Sequence, residues 1–228
     1  MANLTLGFLL VGCMTGTPRV SVSQFGSLQA KCTDPDPVAR LLVYHQMNEK
    51  TVQPEVRKQA VDLLVNAALM DKNQLARAAA IGSLATFNEP VVKTTLMTAS
   101  SDSSPMVRQE VAKGLAGYAD DPEVVAILGA MATRDKDVDV RRHAVLGLAK
   151  AGQSGAREQA AIELAKCVKD SDFTVAQSAA QQLEKRTGRN YGRDYSQWAA
   201  FLNIKSETKT TIPSSGPLPP PSLIPVAN

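Results

Sequence analysis

From about residue 34 to residue 186 the apolar positions fall in short blocks of helical period, separated by Asp, Ser, Gly and Pro. Asp34-Pro35-Asp36-Pro37 is a start signal, with Asp36 placed to cap and Pro37 in the first turn; Val38, Leu41, Leu42 and Met47 then predict a helix to about Asn48. Pro54 opens the next, with Val56, Ala60, Leu63, Leu64, Ala67 and Ala68 on one face. Pairs of helices follow: the stretch from 54 with 73–87, 89–100 with 104–118, 122–133 with 138–151, and 156–169 with 173–186. The spacing from Thr51 to Val56-Arg57 fits a second helix as well, which leaves open the layer to which the helix from Pro54 belongs.

One phrase recurs at the start of each second helix. An aspartate stands five residues before a small apolar anchor: Asp71 and Ala76, Asp102 and Val107, Asp135 and Val140, Asp170 and Val175. The anchors are 31, 33 and 35 residues apart, a period that marks stacked helix pairs. Ala80, Val111, Ala144 and Ala179 come one turn after the anchors, and Leu84, Leu115, Leu148 and Leu183 a turn later still, so each second helix carries a buried stripe. Asn73, Ser103, Asp137 and Asp172, just beyond the marker aspartates, are placed to cap these helices. Arg77, Arg108 and Arg141 follow the first three anchors, whereas Ala176 follows the fourth. Aspartate and arginine both lie where repeats meet, which predicts a ladder of charge-assisted bonds through Asp71, Arg77, Asp102, Arg108, Asp135, Arg141 and Asp170.

Composition agrees with closely packed helices: 44% of the chain is apolar but only 4% aromatic, so small side chains must do much of the packing. A net charge of +3, from 25 basic and 22 acidic residues, lacks the positive field of a dedicated nucleic-acid binder, and none is expected as a partner. Candidate chemistry is sparse. His45 and His143 stand on separate helices with no ligand at metal-binding spacing, and Cys167 reads as core, so neither a metal, a cofactor nor a catalytic residue is expected.

The ends differ from the middle. Residues 1–12 read as a signal peptide, too short to span a bilayer, and Leu10-Val11-Gly12-Cys13 resembles the lipobox of bacterial lipoproteins, which implies lipidation at Cys13 and a place in the cell envelope. The other reading is an unprocessed apolar N-terminus on a cytoplasmic protein. Residues 13–33, rich in Thr, Ser and Gly, read as a flexible tether. Gly188 is a helix stop, and Thr187 to Trp198 forms an aromatic strap with Tyr191, Tyr195 and Trp198, expected as a lid over the last repeat rather than a platform for stacking bases. Residues 204–228 turn to Ser, Thr and Pro and read as a disordered tail of polyproline character.

The residues Asp102, Val107-Arg108 and Leu115, then Asp135, Val140-Arg141 and Ala144, with weaker copies at Asp71, Arg77 and Ala80 and at Asp170, Val175 and Ala179, resemble the HEAT repeat family, including the HEAT-like repeats of phycobilisome lyases. The strap, Thr-Gly-x-x-aromatic-Gly-x-Asp-x-x-x-Trp, resembles the ending of HEAT-repeat proteins from planctomycete-type bacteria. The implied fold is an all-α solenoid: about four helix pairs in a right-handed superhelix over residues 34–203, with an extra N-terminal helix and a C-terminal aromatic cap. The resemblance further implies a non-catalytic scaffold that binds proteins on its concave face. A HEAT-like enzyme or enzyme subunit, of bilin lyase or DNA glycosylase type, and a purely structural envelope spacer are the alternatives.

Overall fold

The computed structural model describes residues 19–204. The leader, Cys13 and all but the first residue of the tail lie outside the described residues. Eleven α-helices are present among the described residues: α1 (Val22–Lys31), α2 (Pro37–Gln46), α3 (Arg57–Met70), α4 (Gln74–Leu84), α5 (Pro90–Ala99), α6 (Pro105–Leu115), α7 (Pro122–Arg134), α8 (Val138–Leu148), α9 (Ser154–Cys167), α10 (Phe173–Thr187) and α11 (Tyr195–Phe201). They form an α-solenoid. The even-numbered helices α2 to α10 pack side by side as one layer, α3 packs on α5 and α7 on α9 in the other, and α11 lies against α9.

Local chemistry explains the helix starts. Proline occupies the first turn of α2, α5, α6 and α7, where its missing N–H would have had no helical partner. Asn73, Asp137 and Asp172 cap α4, α8 and α10 by accepting backbone N–H bonds. For α6 the capping position is Ser104, not Ser103: its backbone N–H reaches Asp102 at 2.8 Å, while its hydroxyl is buried without a partner among the described residues. Ser104 stands two residues after Asp102, the register that Asn73, Asp137 and Asp172 keep after their own aspartates.

The core is a continuous seam of small and branched side chains. The anchors Ala76, Val107, Val140 and Val175 and the leucines Leu84, Leu115, Leu148 and Leu183 are fully buried. Close approach of α6 and α8 to the helices around them depends on two glycines. A Cβ on Gly114 would sit 3.0 Å from both Ala85 and Leu96, and one on Gly147 would sit 3.0 Å from Leu128.

The N-terminal region departs from expectation in two ways. The stretch 13–33 is not a tether throughout, because Val22–Lys31 is helical and buries Phe25 and Leu28 against α2. A capping bond starts this helix, the Gln24 side chain accepting from the Ser21 backbone N–H at 3.1 Å. Next to it, the Val20 N–H donates to Thr51 at 2.6 Å and pins residue 20 to the loop after α2. The extra N-terminal helix, α2, lies in the same layer as α4, with α1 as its thin partner, and α3 takes the outer position of the next pair.

Candidate functional site: a clamped edge and an open face

The loops that join each outer helix to its inner partner lie along one edge of the solenoid, and the marker aspartates stand there. Arg77 donates from Nε and Nη2 to the two carboxylate oxygens of Asp102 at 2.8 and 2.9 Å. Arg108 grips Asp135 in the same way at 2.7 and 2.7 Å, and Arg141 grips Asp170 at 2.7 and 3.0 Å. In each case Nη1 turns back to the carbonyl of the marker aspartate in its own repeat: Asp71 at 2.9 Å, Asp102 at 2.9 Å and Asp135 at 3.0 Å. Each aspartate in turn accepts a backbone N–H two residues on, from Asn73, Ser104, Asp137 and Asp172. Every rung therefore ties two successive loops through one guanidinium whose donors are well used.

A fourth rung escaped the sequence reading. Arg40 donates to both oxygens of Asp71 at 2.7 Å and to the Asp34 carbonyl at 2.6 Å, and the Tyr44 hydroxyl adds a bond to Asp71 at 3.2 Å. Its signal was present in the residues: Asp34 stands five before Ala39, and Arg40 follows, with Ala39 37 residues before Ala76. The helix there is a full member of the row.

Burial makes these bonds count. The paired side chains keep only 5 to 16% of their surface in water. Burial acts against ionisation of Asp71, Asp102 and Asp135, but the arginine bonds and the backbone N–H groups outweigh it and hold all three below the usual carboxylate range. The same bonds raise Arg40, Arg77, Arg108 and Arg141. These residues are saturated by one another, so the ladder positions helices and leaves nothing to bind a ligand.

The open face of the even-numbered row is different. Taken from the anchor, positions −1, +2, +3 and +6 form its outward stripe. On α6 they are Met106, Gln109, Glu110 and Lys113; on α8, Asp139, Arg142, His143 and Leu146; on α10, Thr174, Gln177, Ser178 and Gln181. On α2 the same register carries Val38, Leu41, Leu42 and His45, and on α4 Leu75, Ala78, Ala79 and Gly82, of which Ala78 and Ala79 are buried. Val38 and Leu42 are 55% exposed, Leu75 41% and Met106 43%. The face thus runs from apolar at α2 and α4, through charged at α6 and α8, to uncharged polar at α10. Its charges are largely satisfied in place: Lys113 pairs with Glu110 at 2.7 Å and Arg142 with Asp139 at 2.8 Å. His143 Nδ1 lies 2.7 Å from the Asp139 carbonyl.

Other places offer little chemistry. A cleft of about 600 Å³ between α1 and α3 has Cys32, Tyr44 and Asp71 on its floor. Burial and nearby Asp71 push the Cys32 thiol up to about 11, and it donates to the Leu28 carbonyl, so it is no thiolate nucleophile at neutral pH. Burial pushes Cys167 up to about 12. No group of three or more potential metal ligands occurs among the described residues.

At the far end Gly188 is left-handed with φ 71° and stops α10. Trp198 is fully buried, its Nε1 donates to the Gly192 carbonyl at 2.9 Å, and Tyr191 meets it edge-on with centroids 4.9 Å apart. Lys169 lies 3.8 Å over the Tyr195 ring. With Trp198 enclosed, its ring is packing and not a surface for bases. Arg186, in the last turn of α10 and so on the border opposite the aspartates, donates to the carbonyls of Leu148, Ala151 and Arg157 at 3.0 to 3.2 Å.

The comparisons with known proteins agree with this architecture. No curated protein matches the chain. Among solved structures, the Escherichia coli protein YibA is similar at 21% identity over 70% of this chain, with a TM-score of 0.59; the match takes in 58% of that protein, somewhat over half its length. The CpcE and CpcF complex of phycocyanin lyase from Nostoc sp. PCC7120 is similar at 21% identity over 71% of this chain and 99% of that one, with a TM-score of 0.56. A designed armadillo repeat protein in complex with the peptide (KR)4 is similar at 16% identity over 78% of this chain and 87% of that one, with a TM-score of 0.54. By sequence, residues 94–184, from α5 to α10, match the family described as HEAT repeats.

Proposed function

We propose that the protein is a non-catalytic interaction scaffold whose recognition surface is the concave, open face of the even-numbered helix row. The observation that carries this reading is the division of labour between edge and face. Polar groups at the edge are used up in stacking, whereas the face keeps Val38, Leu42, Leu75, Met106 and Leu146 exposed beside polar side chains. Exposed apolar residues rimmed by polar ones favour a protein surface as the ligand. The paired charges give no continuous positive track for a phosphate backbone. The designed armadillo repeat protein of similar fold, solved with a bound peptide, supports an extended segment of a partner as the kind of ligand. We further propose that the chain works in a bacterial cell envelope, held by lipid on Cys13; the lipobox-like Leu10-Val11-Gly12-Cys13 supports this.

The test is affinity capture from envelope fractions with the wild-type chain and two variants. Arg142→Glu with Leu146→Asp alters the face, and Lys58→Glu alters the outer surface. A defined partner is expected with the wild type and Lys58→Glu and is lost with the face variant; the same background from all three overturns the reading. For the anchor, Cys13→Ser is expected to move the protein from the membrane to the soluble fraction. A wild-type chain that is already soluble overturns it.

A further inference from the structure

The series of marker aspartates begins one step before its first clamp. Asp34 stands five residues before Ala39, the register that Asp71, Asp102, Asp135 and Asp170 keep before their own anchors. Its surroundings repeat theirs. Oδ1 of Asp34 accepts the Asp36 backbone N–H at 2.8 Å, and its carbonyl takes Nη1 of Arg40 at 2.6 Å, as the carbonyls of Asp71, Asp102 and Asp135 take the arginines of their own repeats. Each of the other four carboxylates is gripped on both oxygens by an arginine of the preceding inner helix. Asp34 is not. Among the described residues no Arg or Lys pairs with it, and no inner helix stands before α2.

The flank of α2 beside this aspartate is open in the same sense. In the row, positions +3 and +7 from the anchor turn toward the preceding helix. A Cβ on Gly82 of α4 would lie 3.4 Å from Glu110, at +3 on α6, and one on Gly147, at +7 on α8, would lie 3.3 Å from the Ala112 carbonyl of α6. On α4 these positions hold Ala79 and Ser83, both 5% exposed, and the equivalent residues of α6, α8 and α10 are buried or half-buried. On α2 they hold Leu42, 55% exposed, and Gln46, exposed as well. A cavity of about 580 Å³ adjoins Gln46, with Val20, Leu28, Arg19 and His45 in its wall. The end of the row therefore keeps a free carboxylate and an uncovered flank where every internal repeat has an arginine and a helix. A second copy of the chain does not supply them. Its Arg40, Arg77, Arg108 and Arg141 are already engaged, and α10, which ends the row, carries buried Ala176 at the arginine position.

We infer that the Asp34 end of the row is a docking site for a helix of a different protein, one that carries an arginine followed four residues later by an apolar side chain. That spacing is the one the molecule uses internally: Arg40 with Tyr44, Arg77 with Ile81, Arg108 with Ala112 and Arg141 with Val145, the second residue buried each time. The guanidinium takes both oxygens of Asp34, and the apolar residue covers the flank at Leu42 and Gln46, so the partner continues the row as its next inner helix. The full-length chain with Gln46→p-benzoylphenylalanine is photolysed in its native cells and the crosslinked peptides are sequenced. Expected is a peptide of another protein, joined at or next to an apolar residue that follows an arginine by four. Asp34→Asn keeps the acceptor for the Asp36 N–H but removes the charge, and is expected to lower that yield about tenfold with an unchanged melting temperature. Asp34→Arg, together with aspartate in place of the partner's mapped arginine, is expected to restore it. No crosslink, a crosslink to a second copy, to another part of the same chain or to a peptide without the arginine, and a yield that ignores Asp34→Asn or is not restored by the exchange, each overturn the inference. Arg142→Glu with Leu146→Asp is expected to leave the yield unchanged, which separates this site from the recognition surface proposed above; a loss there places the partner on the open face and overturns the inference.

Discussion

The junctions inside the solenoid and the junction at its C-terminal end do the same work with different chemistry. Between internal repeats, each side brings half of an ion pair, so Arg77, Arg108 and Arg141 can be taken largely out of water because Asp102, Asp135 and Asp170 are waiting for them. Among the described residues the last repeat has no successor to supply a carboxylate. Its rung position holds Ala176, fully buried, and the apolar end is closed by Trp198, Tyr191 and Phe201. A buried charge is tolerated only with its partner, and where the series stops aromatic area takes over.

The sharpest way to break that difference is to remove the ring that closes the end. Trp198→Ala is expected to cost about 3–5 kcal/mol, since a fully buried ring leaves both a cavity and an unpaired Gly192 carbonyl; urea unfolding checks it. Installing an internal feature at the end should fail as well. Ala176→Arg is expected to destabilise by about 3 kcal/mol or more, because no further marker aspartate follows Asp170 in the described repeats to receive the charge. Stability equal to the wild type would show that end and interior are interchangeable. In the interior, Arg108→Ala should cost about 2–3 kcal/mol by leaving Asp135 without its bidentate partner, an effect visible in thermal and denaturant melts.

Acid separates the two kinds of junction without mutation. Asp71, Asp102 and Asp135 have folded-state values below their unfolded ones, so their contribution is complete above the unfolded carboxylate range near 4 and is lost as pH falls through the depressed folded values. Hydrogen exchange followed from pH 5 downward should open α4, α6 and α8 earlier than the strap, whose buried Trp198 does not titrate and whose one depressed carboxylate, Asp194, is an exposed cap on α11. The smallest effect is expected on the open face: Leu146→Ser should change stability by no more than about 0.5 kcal/mol, as befits a side chain that packs on nothing essential.

Much of this was legible in the residues because the repeat writes the same bond several times. The spacing of Asp102, Val107 and Arg108 fixes a loop, an anchor and a rung at once, and the helix boundaries follow from Pro90, Pro105, Pro122 and Gly188. What escaped was less repetitive. Arg40 was hidden because Asp34-Pro35-Asp36-Pro37 reads so well as a lone helix start that the marker within it passes unnoticed. Helix α1 buries only Phe25 and Leu28, too little to impose a period on a stretch full of Ser, Gln and Gly; the Ser21 to Gln24 pair was its one local sign. The graded open face could not be seen at all, because exposure there is set by neighbours. Leu42 and Ala79 hold the same register, yet the first is exposed and the second is buried.

All four guanidinium clamps lie on one border of the molecule. The opposite border, where each inner helix passes to the next outer one, is joined by more exposed and more varied links: Arg57 to Glu49 and Glu89, Lys93 to Asp121, Glu49 N–H to Thr86, Asp120 to the N–H groups of Gly152 and Gln153, and Arg186 to the carbonyls of Leu148, Ala151 and Arg157. A rod stitched more firmly along one side than the other behaves like the spine of a book. Its pages can fan by parting on the side whose ion pairs are more exposed while the binding keeps its length, so slow breathing of this chain should change its curvature more than its contour.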